Sequence, residues 1–447
     1  MSLPPLGYGV ATASYQVEGS TQADGRGPSI WDVFAARPGT VADGSDGSTA
    51  CDSYRRWEED LDLVRDLGVG SYRFSVAWPR VQPAGRGPAN APGLDHYDRM
   101  VDGMLARGLR PLPTLYHWDL PQALEEDGGW LARGTAERFA EYASLVAERL
   151  GDRVEVWATL NEPWCSAFLG YAAGVHAPGR REGTRAFAAA HHLLLAHALG
   201  AQAVRAARSS ADVGIVLNLA LARPEEGADP DAVAYVDAVQ NGLWLEPLVH
   251  GRLAAPVAAH YDGVVADGDL EAVRGSAAWI GVNYYTPFRI APARGAAGAV
   301  GQDTAAYPGA PAFSFAPRGP VTAMGWEVDA SGLEEVLLDT ARRAPGVPLR
   351  VTENGAAYAD DVRAPDGSVD DQDRIAYYRD HLAAVERARA AGAPVLDYVA
   401  WTLLDNFEWA EGYRKTFGLV EVEPGTQDRR PKASYAWYAE HVRAAAG

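Results

Sequence analysis

"VEVWATLNEPW", residues 154 to 164, is the stretch on which the reading of this chain turns. Glu155 apart, Val154 to Leu160 is β-branched, aromatic or apolar, which suits a strand covered on both faces. The run stops at Asn161 and Glu162, and Pro163 suits the first turn of a helix. A strand passing directly into a helix is the unit of a parallel sheet with crossover connections. Glu162 sits at the junction, where turn chemistry alone would make it a capping or solvated carboxylate.

Working outward, the same alternation recurs. Further strand candidates are "YGVATAS" from Tyr8, "SYRFSVAW" from Ser71, "RPLPTLYHW" from Arg110, "DVGIVLNLA" from Asp212, "WIGVNYY" from Trp279, "PLRVTEN" from Pro348 and "DYVAWTLL" from Asp397. Amphipathic stretches separate them. In "DSYRRWEEDLDLVRDLG" the residues Tyr54, Trp57, Leu61, Val64 and Leu67 share one helical face, and Gly68 suits the C-terminal cap. "TAERFAEYASLVAERLG" reads as another helix, with Thr135 as its N-cap. Eight alternations without a linker predict an α/β fold, a single (β/α)8 TIM barrel over residues 1–447 with its active site at the C-terminal ends of the strands. A doubly wound open sheet is the alternative, but no glycine-rich phosphate turn follows the first strand. Gly-, Pro- and Ala-rich segments at 36–50 and 291–320 fit neither period and read as loops shaping an entrance.

Composition narrows the partners. A net charge of -19 opposes binding to phosphate backbones and to anionic membranes, so neither nucleic acid nor membrane is expected. The start lacks a basic region followed by an apolar core, and no segment offers 18 uninterrupted apolar residues, which predicts a cytoplasmic protein. The two cysteines, Cys51 and Cys165, make neither a disulfide framework nor a metal motif and read as small buried residues.

In such a barrel the chemistry stands where the strands stop. Those positions hold Gln16, Arg73, His117 with Trp118, Asn161 with Glu162, Asn283 with Tyr285, Glu353 with Asn354, and Trp401 with Asp405. Glu162 after the fourth strand and Glu353 after the seventh would share one rim. Paired carboxylates suit cleavage of a glycosidic bond: one protonates the leaving oxygen while the other attacks the anomeric carbon or activates water.

The residues also carry a resemblance. "YGVATASYQVEG", "YRFSVAWPRV", "YHWDLPQAL", "TLNEPW", "GVNYYT", "VTENG" and "WTLLDNFEWAEGYRKTFGLV" resemble, in order, the signature segments of glycoside hydrolase family 1, the β-glucosidase family, and "RRPKASYAWY" extends the likeness to the C-terminus. The resemblance implies a retaining, exo-acting β-glucosidase that releases terminal β-D-glucose from cellobiose or aryl and alkyl glucosides. Glu353 would be the nucleophile and Glu162 the general acid and then base. It further implies Arg73 and Tyr285 beside the nucleophile, Asn161 on the sugar 2-hydroxyl, and Gln16, His117, Trp118, Asn283, Trp401, Glu408, Trp409 and Phe417 around the sugar, with Trp326 on the aglycone side. Glu408 would repel a 6-phosphorylated sugar. β-Galactosidase or β-fucosidase activity stays open, because Gln16 and Glu408 suit either orientation of a 4-hydroxyl. Non-catalytic carbohydrate-binding members have lost one or both glutamates, which this chain keeps.

No cofactor or metal is expected. His191, His192 and His197 in "AHHLLLAH" lack the four-residue spacing of helical zinc ligands, and "ADGSDGSTACD" misses the calcium-loop pattern and reads as a solvated loop. The partners implied are small β-glycosides. The residues do not decide between monomer and homo-oligomer.

Overall fold

The computed structural model describes residues 3–293 and 304–445. Eight parallel strands close into a barrel: β1 Gly7–Ala11, β2 Ser71–Ser75, β3 Arg110–Tyr116, β4 Val156–Asn161, β5 Asp212–Asn218, β6 Ile280–Asn283, β7 Leu349–Asn354 and β8 Val395–Trp401. Each pairs with its neighbour in chain order, and β1 closes on β8 with Gly7 opposite Asp397 and Ala11 opposite Trp401. All eight predicted runs are barrel strands. Their double-sided apolarity follows from the helices that cover them outside and the side chains that fill them inside.

Successive strand residues face opposite sides, so the barrel interior can be read in layers. At the bottom Arg350 pairs with Asp397 and, at 3.0 Å, with Asp212, while Arg110 reaches Asp397 at 2.7 Å. Above them Leu112, Val156, Ala158 and Val216 pack with Trp279 into an apolar plug. The top layer is polar again: Arg73, Asn161, Asn283 and Glu353.

Among the covering helices, Ser53–Leu67 buries Tyr54, Leu61, Val64 and Leu67 and ends at Gly68 with φ 82°; Trp57 is only partly buried. The helix predicted to start at Thr135 differs in its cap. It spans Gly134–Leu150 with Arg133 at the N-cap, and Thr135 instead donates its hydroxyl to the Gly129 carbonyl at 2.5 Å. A tertiary acceptor has won over the local one.

Residues 36–50 form turns, as read from the sequence. The loop assigned to 291–320 is partly wrong. Phe288–Pro292, which overlaps its start, and Phe313–Phe315 within it form an antiparallel ladder that joins Ala222–Pro224 in a three-stranded sheet; residues 294–303 lie outside the described residues. Phe288, Phe313 and Phe315 are buried, so apolar packing made strands of a segment whose composition signals turns. No described helix is long and apolar enough to cross a membrane.

The bottom charge layer lies at the end of the barrel away from the polar mouth. Replacing Asp397 by Ala strips Arg350 of one buried partner and should cost about 3 kcal/mol of unfolding free energy, with kcat unchanged. A loss below about 1 kcal/mol by denaturant titration would show the layer to be dispensable.

Candidate active site

Both candidate carboxylates stand where the barrel register breaks. The β4–β5 register shifts between Ala158 and Asn161, and the β7–β6 register between Val351 and Glu353. Such bulges re-aim side chains at the ends of strands. They bring Asn161 and Glu353 to the barrel mouth, while Glu162 adopts φ 43°, with its N–H donating to the Val216 carbonyl at 2.9 Å. Trp118 (φ 75°) and Trp409 (φ 49°) share this left-handed conformation, uncommon for residues other than glycine and found where a site holds strain.

A hydrogen-bonded chain joins the two carboxyls. Arg73 donates from Nη1 to Glu353 Oε1 at 2.5 Å and from Nη2 to Asn161 Oδ1 at 2.7 Å. Asn283 Nδ2 donates to Asn161 Oδ1 at 3.1 Å and to Glu162 Oε1 at 2.7 Å. The second oxygen of Glu353 accepts from the Tyr285 hydroxyl at 2.7 Å. Asn161 Nδ2 lies 3.0 Å from His117 Nε2, and its carbonyl accepts from the Trp118 indole at 2.9 Å.

Electrostatics separates the carboxyls. Burial, reinforced by the charge of Glu353, pushes Glu162 up to about 8 despite the donors around it. Glu408 is also pushed up to about 8, by burial and then by Glu353 and Glu162. Burial and the Arg73 charge hold His117 well below its usual range, so its imidazole is neutral. The Tyr285 phenol, raised by burial and by Glu353, keeps its proton and stays a donor. One acid that holds a proton near neutrality faces a second carboxyl ion-paired to arginine, which is the division that glycoside cleavage needs.

These groups open on a cavity of about 910 Å³. Its inner walls carry aromatic faces: His117 stacks between Trp401 at 5.8 Å and Trp409 at 5.9 Å, and Trp118 leans on Trp409 at 4.5 Å. Tyr285, Trp326 and Phe417 form a second aromatic cluster beside Glu353. Of the residues singled out in the sequence, His117, Trp118, Glu162, Asn283, Tyr285, Trp326, Glu353, Trp401, Glu408, Trp409 and Phe417 line the cavity.

Three others do not reach its surface. Arg73 and Asn161 lie buried directly behind it, holding the carboxyls. Gln16 is also fully buried, its amide donating to Asn406 Oδ1 at 3.0 Å and, at 3.4 Å, to Glu408 Oε2. Two strand-end residues prove structural. Asn354 bonds the Tyr284 carbonyl and the Tyr398 hydroxyl, and Asp405 accepts from Lys432 and from the Gly418 N–H, fixing the segment that carries Glu408, Trp409 and Phe417. The histidines of the "AHHLLLAH" helix are separately engaged: His191 with Asp269, His192 with the Trp130 carbonyl and His197 with Thr159.

Cys165 was read only as a small buried residue. It lines the cavity, and its thiol donates to Glu162 Oε2 at 3.1 Å. Its place three residues after Glu162 was the available signal. Gly355, just after β7, has no room for a side chain: a Cβ there would come within 1.8 Å of the Trp401 carbonyl oxygen.

Comparison with known proteins agrees with this geometry. Residues 6–446 match the model of Glycosyl hydrolase family 1. A β-glucosidase from an Agrobacterium species is 46% identical over 437 residues, covering 97% of this chain and 93% of the relative. A bifunctional β-D-glucosidase/β-D-fucosidase from Bifidobacterium breve is 45% identical over 97% of this chain and 96% of its own. Among solved structures, a β-glucosidase from Thermotoga maritima in complex with deoxynojirimycin superposes with a TM-score of 0.91 at 41% identity, covering 99% of both chains. The virulence factor SghA from Agrobacterium tumefaciens superposes with the same score at 44% identity, over 98% of this chain and 96% of its own. A barrel whose fourth and seventh strands end in carboxyls joined through one arginine and two asparagines, matched along nearly its whole length, belongs to glycosyl hydrolase family 1.

Proposed function

We propose that the chain, acting as one domain over residues 1–447, is a retaining, exo-acting β-glucosidase that releases terminal β-D-glucose from cellobiose and from aryl and alkyl glucosides. The single observation that carries this reading is the asymmetry of the two carboxyls. Glu353 accepts from a guanidinium and a phenol, whereas the donors to Glu162, an amide and a thiol, are uncharged and burial pushes it up to about 8.

In the first step Glu353 attacks the anomeric carbon, and Glu162 gives its proton to the leaving oxygen. A covalent glycosyl-enzyme forms as the glycosidic bond breaks. Esterification removes the charge of Glu353, which is one of the causes of the raised Glu162 value. Glu162 then takes a proton from the incoming water, which attacks the anomeric carbon and frees Glu353. Asn161, buried behind the wall, acts on the side of the sugar that bears the 2-hydroxyl through the groups it fixes, Arg73, His117 and Asn283. His117, Trp118, Asn283, Trp401, Glu408, Trp409 and Phe417 hold the sugar, with Gln16 behind them bonded to Glu408, and Trp326 flanks the aglycone. The two unpaired thiols suit a reducing compartment, and we place the activity in the cytoplasm.

The bifunctional Bifidobacterium relative favours a second activity on β-D-fucosides. A β-D-fucoside differs from a glucoside in the orientation of its 4-hydroxyl and in lacking the 6-hydroxyl, and Glu408 is the residue proposed to sense this part of the sugar. Rates on nitrophenyl β-glucoside, β-galactoside and β-fucoside, set beside cellobiose, separate the readings; absence of glucoside turnover at high enzyme concentration would sink the proposal.

Glu353→Ala should lower turnover on every β-glycoside by a factor on the order of 10⁴ or more, and azide should restore part of it as α-glucosyl azide. A β-azide product would mean that the two glutamates have each other's roles. With wild type, hydrolysis of poor leaving groups should fall as pH rises through about 8, where Glu162 loses the proton it must donate. A kcat/KM profile flat from pH 6 to about 10 would contradict Glu162 as the acid.

A further inference from the structure

The two oxygens of Glu162 have different neighbours. Oε1 accepts from Asn283 Nδ2 at 2.7 Å. That amide cannot turn over, because Thr352 donates its hydroxyl to Asn283 Oδ1 at 2.7 Å from behind, leaving only N–H donors to face Glu162. Oε2 accepts from the Cys165 thiol, with Sγ at 3.1 Å. The chain places the thiol there: the Cys165 N–H bonds the Glu162 carbonyl at 2.9 Å, and a π-helical segment, Cys165–Ala173, begins at this residue.

We infer that Asn283 reserves Oε1 as an acceptor, so that the proton Glu162 transfers rides on Oε2, and that Cys165 is the positioning residue that sets how readily Oε2 releases and regains it. This rests on the reading of Glu162 as acid and base. A carboxylic acid has one O–H, and an oxygen already accepting from a fixed amide is the poorer place for it. Oε2 is left to carry the proton toward the cavity, with the thiol beside it.

The thiol suits both halves of the cycle. Burial and the Glu162 charge hold Cys165 well above its ordinary range, so it is an S–H group and adds no charge. A thiol is a weak donor. It therefore favours the anionic form of Glu162 less than a hydroxyl would, leaving the proton in place for the first step, yet it still offers the anion a partner in the second. The other titratable and charged groups facing Glu162 are Glu353, Glu408, Arg73 and Tyr285. None changes when Cys165 is replaced.

The test is the pH dependence of kcat/KM on an alkyl β-glucoside, whose leaving group needs protonation, for wild type, Cys165→Ala, Cys165→Ser and Glu162→Gln. Loss of the donor in Cys165→Ala should raise the alkaline limb, and the stronger donor of Cys165→Ser should lower it, each by about half a pH unit. On a nitrophenyl glucoside, whose leaving group needs little protonation, the alkaline limb should move less in Cys165→Ala and Cys165→Ser than it does on the alkyl glucoside. A purely structural disturbance would lower both variants together and move no limb in opposite directions. Limbs that coincide with wild type, while Glu162→Gln removes the limb, overturn this inference alone. A limb that survives in Glu162→Gln overturns the parent reading and this one with it. Should Cys165→Ser fail to fold, an unmoved limb in Cys165→Ala is sufficient to reject the role.

Discussion

Arg73 is the constraint on which the site depends. It is almost wholly buried, and its fork spans Glu353 and Asn161 at once. A buried guanidinium is costly unless its donors are used, and removal of one partner leaves that cost exposed. The cheapest arrangement keeps Glu353 and Asn161 where the arginine needs them. Asn283 extends the same logic to Glu162, so the relative placement of the two carboxyls follows from hydrogen-bond satisfaction deep in the barrel and not from the loops around its mouth.

The layers of the barrel interior share out the tasks. A charged layer closes the bottom, an apolar plug of Leu112, Val156, Ala158, Val216 and Trp279 fills the middle, and the top layer holds the polar groups of the site. The plug matters to the chemistry as well as to stability. It separates the top layer from the charges below, so that the polar groups of the site bond to one another: Arg73 to Glu353 and Asn161, and Thr352 to Asn283. Electrostatics then does the sorting: burial, reinforced by the charge of Glu353, pushes both Glu162 and Glu408 up to about 8.

Much of this was legible in the residues, and the parts that were not have physical reasons. The eight strands could be found because parallel strands covered on both faces make continuous apolar runs, and the site could be found because it stands where those runs stop. The register breaks at Asn161 and Glu353 left no trace, since a bulge is a property of two strands together. Thr135 looked like a cap because the sequence does not show that the Gly129 carbonyl comes near. Phe313 and Phe315 sat among glycines and prolines whose turn signal outweighed them. Gln16 pointed to the right region but stands behind the wall, its amide committed to Asn406. Cys165 was passed over because a lone cysteine without a metal or disulfide partner reads as filler until its carboxyl neighbour is seen.

Gly355 carries the last consequence. The carbonyl of Trp401 occupies the space where its side chain would be, so strands β7 and β8 are locked together just behind the inner wall of the cavity. Any side chain at position 355 would have to part the ends of these two strands, and with them Glu353 and Trp401, which line the cavity from either side of the contact.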